Sequence, residues 1–242
     1  MKKLLIALGL LMLPLAYAGF TLWLEMSRIA DDNPLVWEPI IAAWEAEQQT
    51  APPPQDAVLF VGSSSIRMWD TLAADMAPLP VIQRGFGGAR MGDVRHYADR
   101  IVLPYQARAV VFFVGSNDIN VAASPAEAMA AVPIIATGFQ SLVNRILRER
   151  PSTTIFWIDI TATPSAWDNM RAIDEANREV LKICNSRSRV HCVHTRDAFI
   201  NGEGKPDDSL FILDGLHLNE AGYALWTSMI KPRLLTALAT SS

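Results

Sequence analysis

Residues 58–65 read VLFVGSSS, so a continuously apolar run leads directly into a glycine and three serines. A short run without polar alternation is typical of a strand that is buried on both faces of a parallel sheet. Four more such runs follow at helix-length intervals, and the five together are Ala57–Val61, Pro80–Arg84, Ala109–Val114, Thr154–Ile158 and Val190–Val193. Strands that alternate with helices predict an α/β fold with a five-stranded parallel sheet covered by helices on both faces.

Helical patterns fill the intervals between these runs and follow the last one. They cover Ile66–Met76, Asp93–Leu103, Pro125–Glu149, Asn169–Asn185 and Asn219–Leu238. Capping residues stand at three of the expected helix starts, because Ser124 precedes a proline, Asp168 precedes the fourth helix and Asn219 opens the last one. These start signals support the alternation of strands and helices.

The length and composition of the chain suit one domain. It has 242 residues, of which 50% are hydrophobic and 19% are charged, and this is enough for one substantial core. We assign that domain to residues 55–242, after a lead-in helix and a proline-rich linker at residues 25–54. A formal net charge of -4 lacks the concentrated Lys and Arg of nucleic-acid binders. We therefore expect no nucleic-acid partner and a small, neutral substrate.

Residues 1–24 have the features of an export segment. Lys2 and Lys3 precede an apolar run, and residues 16–18 read AYA, the small-residue pattern of a signal-peptide cleavage site. An uncleaved helix over residues 4–24 would rise roughly 30 Å, however, which is enough to span a bilayer. The sequence leaves open a cleaved signal peptide and a membrane anchor. In both cases we expect an exported, periplasmic domain.

Two cysteines and two nearby histidines suggest a disulfide or a metal site. Cys184 and Cys192 bracket a polar turn, so they either form a disulfide in an oxidising compartment or remain buried thiols. His191 and His194 flank Cys192, but adjacent strand residues point to opposite faces and no carboxylate cluster completes a ligand set. We therefore expect no metal. We also expect no cofactor, because the glycines of Gly85–Gly88 have neither the dinucleotide-binding nor the P-loop spacing.

Polar residues cluster after the predicted strands, where open parallel sheets bind their ligands. The segments are Gly62-Ser63-Ser64-Ser65, Gly85-Phe86-Gly87-Gly88 and Gly115-Ser116-Asn117-Asp118, with Asp214-Gly215-Leu216-His217 before the last helix. Each segment alone is typical of a turn or a helix cap. Their occurrence together, in this order, indicates a single site at one edge of the sheet.

Three of these residues can form a catalytic triad. A serine hydroxyl becomes nucleophilic when a base takes its proton, and the base needs a third group to orient it. Ser64 begins a helix, where the helix dipole favours developing negative charge. Asp214 and His217 are three positions apart, so in a helical turn the carboxylate reaches one ring nitrogen. We therefore predict Ser64 as the nucleophile, His217 as its base and Asp214 as the group that orients the histidine.

Acyl transfer also requires donors that stabilise the oxyanion, each worth about 2.7–4 kcal/mol of barrier. We expect three, namely the backbone N–H groups of Ser64 and Gly88 and the side-chain amide of Asn117. Glycine suits the second position because the backbone can approach a ligand closely where there is no Cβ.

The four segments resemble the four conserved blocks of the SGNH (GDSL-type) hydrolase family, over residues 58–218. The resemblance implies a flavodoxin-like, three-layer α/β/α sandwich. It also implies that Ser64, Gly88 and Asn117 match the family's serine, glycine and asparagine, and that residues 214 and 217 match its Asp-x-x-His pair.

Two positions depart from the family pattern. Ser63 stands where the family has Asp, and Gln83 stands where an Asn commonly opens the second block. The first departure removes a carboxylate that helps to shape the nucleophile loop, so Ser63 and Ser65 are the alternative nucleophiles. The Gly-x-Ser-x-Gly nucleophile elbow is absent, since Ile66 occupies its final position.

The four-segment arrangement favours hydrolysis of small or short-chain acyl esters, and the expected export makes O-acetylated carbohydrate of the cell envelope one candidate substrate. Trp69 and Trp167 either stack on a sugar or pack in the core. Two alternatives stay open: an acyltransferase of the same fold, and a catalytically silent binding module, for which Ser63 is the only hint. The oligomeric state is not predicted.

Overall fold

A computed structural model describes residues 33–239. The expected signal peptide or anchor at residues 1–24 lies outside the described residues. The lead-in helix is α1, Glu38–Thr50, and it follows a 3-10 turn at Pro34–Trp37. Its Ile41 is fully buried, so α1 packs onto the core of the domain.

Five parallel strands form the sheet in the described part of the chain. They are β1 Val58–Gly62, β2 Val81–Gly85, β3 Ala109–Phe113, β4 Thr154–Ile158 and β5 Val190–Val193. The five predicted strands are confirmed, with ends that differ by at most one residue. Their spatial order is β2-β1-β3-β4-β5, so the chain changes direction between β1 and β3. A ligand crevice is expected at this switch point, outside the carboxyl ends of the strands.

Helices cover both faces of the sheet. After α1 they are α2 Ser64–Arg67, α3 Leu72–Met76, α4 Met91–Ile101, α5 Ser116–Asn120, α6 Pro125–Glu149, α7 Met170–Asn185 and α8 Glu220–Ala239. Side chains of α1, α4, α6 and α7 pack on one face, and those of α2, α3 and α8 pack on the other. Strand residues alternate accordingly, with Leu59 in the first core and Phe60 in the second. The predicted three-layer α/β/α sandwich is confirmed.

The longest helix, α6, would be long and apolar enough to cross a membrane by length and composition alone. One of its faces is buried, and Phe139 on that face contacts Phe112 of β3 and Trp157 of β4. Packing against the sheet therefore accounts for its apolar character.

Two helix predictions are wrong. The helix expected over Ile66–Met76 is divided into α2 and α3, because Trp69 N donates to Ile66 O and Leu72 N donates to Trp69 O, which replaces the helical pattern by tighter turns. Asp168 does not cap α7. It lies inside a 3-10 helix at Pro164–Asn169, and Asn169 occupies the cap position.

The other two predicted caps are confirmed. Ser124 Oγ accepts a hydrogen bond from Glu127 N at 3.3 Å at the start of α6. Asn219 Oδ1 accepts from Gly222 N at 3.1 Å at the start of α8. Both side chains satisfy backbone donors that the first turn of a helix leaves unpaired.

The two cysteines form a disulfide. Cys184 lies near the end of α7 and Cys192 lies in β5, with their Cα atoms 5.9 Å apart. Of the two alternatives that the sequence left open, the bridge is therefore the one found.

Candidate active site

The turn between β1 and α2 brings Ser64 to the carboxyl edge of the sheet. A Cβ atom at Gly62 would lie 2.0 Å from the carbonyl oxygen of Phe113, so a glycine is needed for β1 and β3 to approach here. Ser63 N then donates to the same oxygen at 3.2 Å. Ser64 follows as the first residue of α2, at the switch point of the sheet, and is 9% exposed.

Ser64, His217 and Asp214 form a continuous hydrogen-bonded chain. Ser64 Oγ lies 2.8 Å from His217 Nε2, and His217 Nδ1 lies 2.6 Å from Asp214 Oδ2. A carboxylate can only accept, so Nδ1 carries a proton and Nε2 of the neutral ring is free to accept the serine proton. The structure therefore brings the three predicted triad residues together in the arrangement that general-base catalysis requires.

The loop that holds Asp214 and His217 is not the helical turn expected from their spacing. An antiparallel bridge between Phe211 and Leu218 closes the loop, and Gly215 within it has a φ of 62°. Oδ1 of Asp214 accepts from the backbone N–H groups of Leu216 and His217, both at 2.9 Å. The carboxylate thus orients the histidine and also fixes the backbone beneath it.

The charged form of Asp214 is favoured by these contacts. Partial burial acts to raise the pKa of its carboxyl. The hydrogen bonds from the His217 side chain and from the backbone N–H groups of His217 and Leu216 outweigh burial and hold the pKa below its ordinary value. Asp214 is therefore an anion when His217 takes up a proton.

The expected oxyanion donors lie on three neighbouring loops. Ser64 N is at the start of α2, and Gly88 follows β2 with a φ of 75°, which favours glycine. Asn117 is buried on α5, and its side-chain amide donates to Ala89 O at 3.0 Å. This bond uses one of the two amide hydrogens and joins the loop of Gly88 to the loop of Asn117.

A second bond between these two loops involves Asp118, a residue whose role the sequence did not reveal. Asp118 Oδ2 accepts from Met91 N at 2.9 Å, at the start of α4. Burial is the main cause that raises the pKa of the Asp118 carboxyl to about 6. Its position directly after Asn117 was the available signal in the sequence. The two bonds hold the loops of Gly88 and Asn117 in a fixed relation.

The two candidate stacking tryptophans differ in exposure. Trp69 is fully buried between Phe60 and Tyr223, so it packs in the core and cannot contact a sugar. Trp167 is 39% exposed on the turn that follows β4. Residues 211–218, which hold Asp214 and His217, form the loop that we call the catalytic loop. Ser165 N, on the same turn as Trp167, donates to Gly215 O of this loop at 3.0 Å.

The histidines near the disulfide have other partners. His191 stacks on Phe156 with ring centroids 5.1 Å apart, and His194 Nδ1 lies 3.2 Å from Asp159 Oδ2. Among residues 33–239, no group of three or more His, Cys, Asp or Glu side chains is arranged to hold a metal ion.

Residues 51–225 match the model of the GDSL-like Lipase/Acylhydrolase family. Solved structures with a similar fold include a GDSL-like lipase from Bacteroides thetaiotaomicron, 17% identical with a TM-score of 0.65, over 81% of this chain and 98% of that chain. An acetyl xylan esterase from Geobacillus stearothermophilus is 16% identical with a TM-score of 0.60, over 77% and 95%. The lipase/acylhydrolase from Enterococcus faecalis is 17% identical with a TM-score of 0.56, over 74% and 95%. No curated protein matches the chain.

Proposed function

Because the chain belongs to the GDSL-like lipase/acylhydrolase family and is a carboxylic ester hydrolase, we propose that it cleaves small or short-chain acyl esters through an acyl-enzyme on Ser64. The observation that carries the proposal is the hydrogen-bonded chain from Ser64 Oγ through His217 to Asp214. We expect Gly88 N and the Asn117 amide to be further donors, and the bond from the Asn117 amide to Ala89 O joins their two loops.

The geometry supports the following acylation step. Ser64 Oγ attacks the carbonyl carbon of the ester while its proton passes to His217 Nε2, and Asp214 stabilises the imidazolium that forms. The carbonyl oxygen becomes an oxyanion and accepts hydrogen bonds from Ser64 N, Gly88 N and the Asn117 amide. When the tetrahedral intermediate collapses, the C–O bond to the alcohol breaks, and the alcohol leaves with the proton from His217.

Deacylation repeats these steps with water. His217 takes a proton from the water molecule as its oxygen attacks the acyl carbon. Collapse of the second tetrahedral intermediate breaks the bond to Ser64 Oγ, which regains its proton from His217. The carboxylic acid is released and the enzyme returns to its starting state.

A comparison with a solved structure supports a short acyl group. The fold is similar to that of an acetyl xylan esterase, which agrees with an acetyl ester as substrate.

O-acetylated carbohydrate is the substrate that we favour within this class. The exposed ring of Trp167 lies on a turn that is hydrogen-bonded to the catalytic loop through Ser165 and Gly215. Indole rings bury large apolar surfaces and suit the faces of sugar rings. Trp167 is therefore the residue that we assign to sugar stacking.

We also propose that the domain is exported to the periplasm, with residues 1–24 as its signal peptide or membrane anchor. The disulfide between Cys184 and Cys192 supports this location, because such bridges persist in oxidising compartments.

Covalent labelling tests the assignment of the nucleophile. The folded protein is incubated with a fluorophosphonate probe, digested, and the modified peptide is sequenced by mass spectrometry. We expect one adduct, on Ser64, in the wild type and in Ser63→Ala and Ser65→Ala, and no adduct in Ser64→Ala. An adduct on Ser63 or Ser65 would show that the nucleophile is misassigned, and no adduct in the wild type would favour a silent binding module.

A chain-length series tests the acyl group. We expect kcat/KM for p-nitrophenyl acetate to exceed that for p-nitrophenyl octanoate by roughly tenfold or more, because a methylene that does not fit a small pocket costs about 1–3 kcal/mol. Equal values for the two esters would contradict a small acyl pocket.

A further inference from the structure

The helix that presents Ser64 is too short to hold itself in place. α2 has four residues, Ser64–Arg67, and an isolated turn of helix is unstable in water. Its position must therefore come from contacts with the rest of the fold. Two side chains from distant parts of the sequence donate hydrogen bonds to carbonyl oxygens of α2 and of the turn after it.

The first of these side chains is Tyr223. Its hydroxyl donates to Ser65 O at 2.9 Å, and the bond is buried. Trp69 N, which a longer helix would direct to Ser65 O, donates to Ile66 O instead. The Tyr223 ring stacks on Trp69 with centroids 5.3 Å apart, and burial raises the pKa of the phenol, so that it stays a donor.

The second side chain is Gln83 of β2. Its amide donates to Ile66 O and, at 3.2 Å, to Trp69 O. The end of β2 is also in direct contact with α2, because a Cβ atom at Gly85 would lie 2.3 Å from Arg67 N. Gln83 therefore holds the carboxyl-terminal end of α2, and Tyr223 holds the residue next to the nucleophile.

Tyr223 is also close to His217 in the sequence. It is in the first turn of α8, six residues after His217, and α8 follows directly from the catalytic loop. The Tyr223–Ser65 bond thus joins the same two segments that the Ser64–His217 bond joins. This buried bond therefore helps to fix the distance between Ser64 Oγ and His217 Nε2.

We propose that Tyr223 is a positioning residue for the hydrolysis, which sets the distance between Ser64 Oγ and His217 Nε2 through its bond to Ser65 O, with Gln83 as the second support of the same helix. This inference rests on the proposed role of Ser64. Ser63, which stands where the family has Asp, makes no side-chain cap bond to α2. Tyr223 and Gln83 supply instead the fixation that the local sequence lacks.

The test compares Tyr223→Phe with Tyr97→Phe on p-nitrophenyl acetate. Tyr97 is the control, because it is also buried, it packs in the core on the other face of the sheet, and its hydroxyl lies 3.0 Å from Pro34 O and 3.2 Å from Glu38 Oε2. For Tyr223→Phe we expect kcat to fall by roughly 10-fold to 100-fold with KM within about twofold, because small displacements of reacting groups carry large rate penalties. For Tyr97→Phe we expect both constants within about twofold of the wild type.

A second variant and a structure keep the test decisive if Tyr223→Phe folds poorly. Gln83→Met retains length without a donor, and we expect the same selective loss of kcat. In a crystal structure of either folded variant, the Ser64 Oγ to His217 Nε2 distance should exceed that of the wild type. Unchanged kcat in the folded variants, beside an inactive Ser64→Ala, would overturn the positioning role alone. Full activity of Ser64→Ala would overturn both the proposed function and this inference.

Discussion

Asp118 follows Asn117 directly, and burial disfavours the charged form of its carboxyl group. The pKa of its carboxyl is about 6 in the folded protein against an ordinary value of 3.8, so the folded state holds the proton more tightly. Its contribution to stability is complete below about pH 4 and is lost as the pH rises through about 6. The shift corresponds to about 3 kcal/mol.

Asp118→Asn removes this titration and keeps an oxygen that can accept from Met91 N. We expect the free energy of unfolding of the wild type, relative to Asp118→Asn, to fall by up to about 3 kcal/mol between pH 4 and pH 7. Urea titrations of both proteins at a series of pH values measure the difference. A difference that does not change with pH would contradict the raised pKa.

Trp167 allows a test of the carbohydrate substrate at the scale of one side chain. We expect Trp167→Ala to raise KM for acetylated xylo-oligosaccharides by roughly fivefold, through the loss of about 1 kcal/mol of aromatic contact, and to leave p-nitrophenyl acetate hydrolysis within about twofold. Trp167→Phe, which keeps an aromatic ring, should show a smaller effect. Equal losses on both substrates would indicate a structural role instead.

The triad shows what a sequence reveals at the residue scale. Ser64, Asp214 and His217 could be predicted, because their chemistry limits the choice of residue types and the segments occur in the right order. The conformation of the loop could not, because a spacing of three fits both a helical turn and the turn in which Asp214 Oδ1 accepts two backbone N–H groups. The positive φ of Gly215 decides between them and is not encoded by spacing.

The disulfide ties the end of α7 to β5. Its cysteines are separated by eight positions, and the loop-entropy estimate for such a bridge is about 2.5 kcal/mol. We expect Cys184→Ser/Cys192→Ser to lose about this much free energy of unfolding and to retain turnover, because the bridge lies away from Ser64. Dithiothreitol should destabilise the wild type and leave the double variant unchanged. Equal stability of the two proteins would contradict the prediction.

Elements whose bounds depend on local sequence features are predicted accurately, and those that depend on long-range contacts are not. The strands and α6 were predicted within one residue at either end, because apolar runs and the Ser124-Pro125 start are local features. The break between α2 and α3 was missed. Ile66 O and Trp69 O, which accept from the backbone in the tighter turns, also accept from Gln83, and this residue of β2 lies 14 to 17 positions away, beyond the reach of a local pattern.

The site joins distant parts of the chain. The Ser64–His217 bond spans 153 positions of sequence, and it forms because α8 packs in the same core as α2, so that the loop before α8 reaches the end of β1. The sequence predicted this convergence through the general rule for parallel sheets. The contacts that refine it, such as Tyr223 to Ser65 O, could not be predicted, since they depend on the packing of α8 against α2.

The cellular location of the protein depends on its amino-terminal residues. We expect the protein to be found outside the cytoplasm when the full chain is produced in a bacterial host, with its cysteines oxidised, because residues 1–24 resemble an export segment. Fractionation followed by thiol alkylation and mass measurement tests this, and the mass distinguishes a cleaved signal peptide from an anchor. A cytoplasmic, reduced protein would contradict the proposed export.

Turnover of p-nitrophenyl acetate by Ser64→Ala, measured beside Ser63→Ala and Ser65→Ala, tests the catalytic assignment most directly. We predict that Ser64→Ala lowers kcat by roughly 1,000-fold or more, because it removes the nucleophile and leaves only the donors of the site. The two neighbouring variants should stay within about tenfold of the wild type. Ser64→Ala with wild-type turnover would contradict the assignment of Ser64 and the mechanism that rests on it.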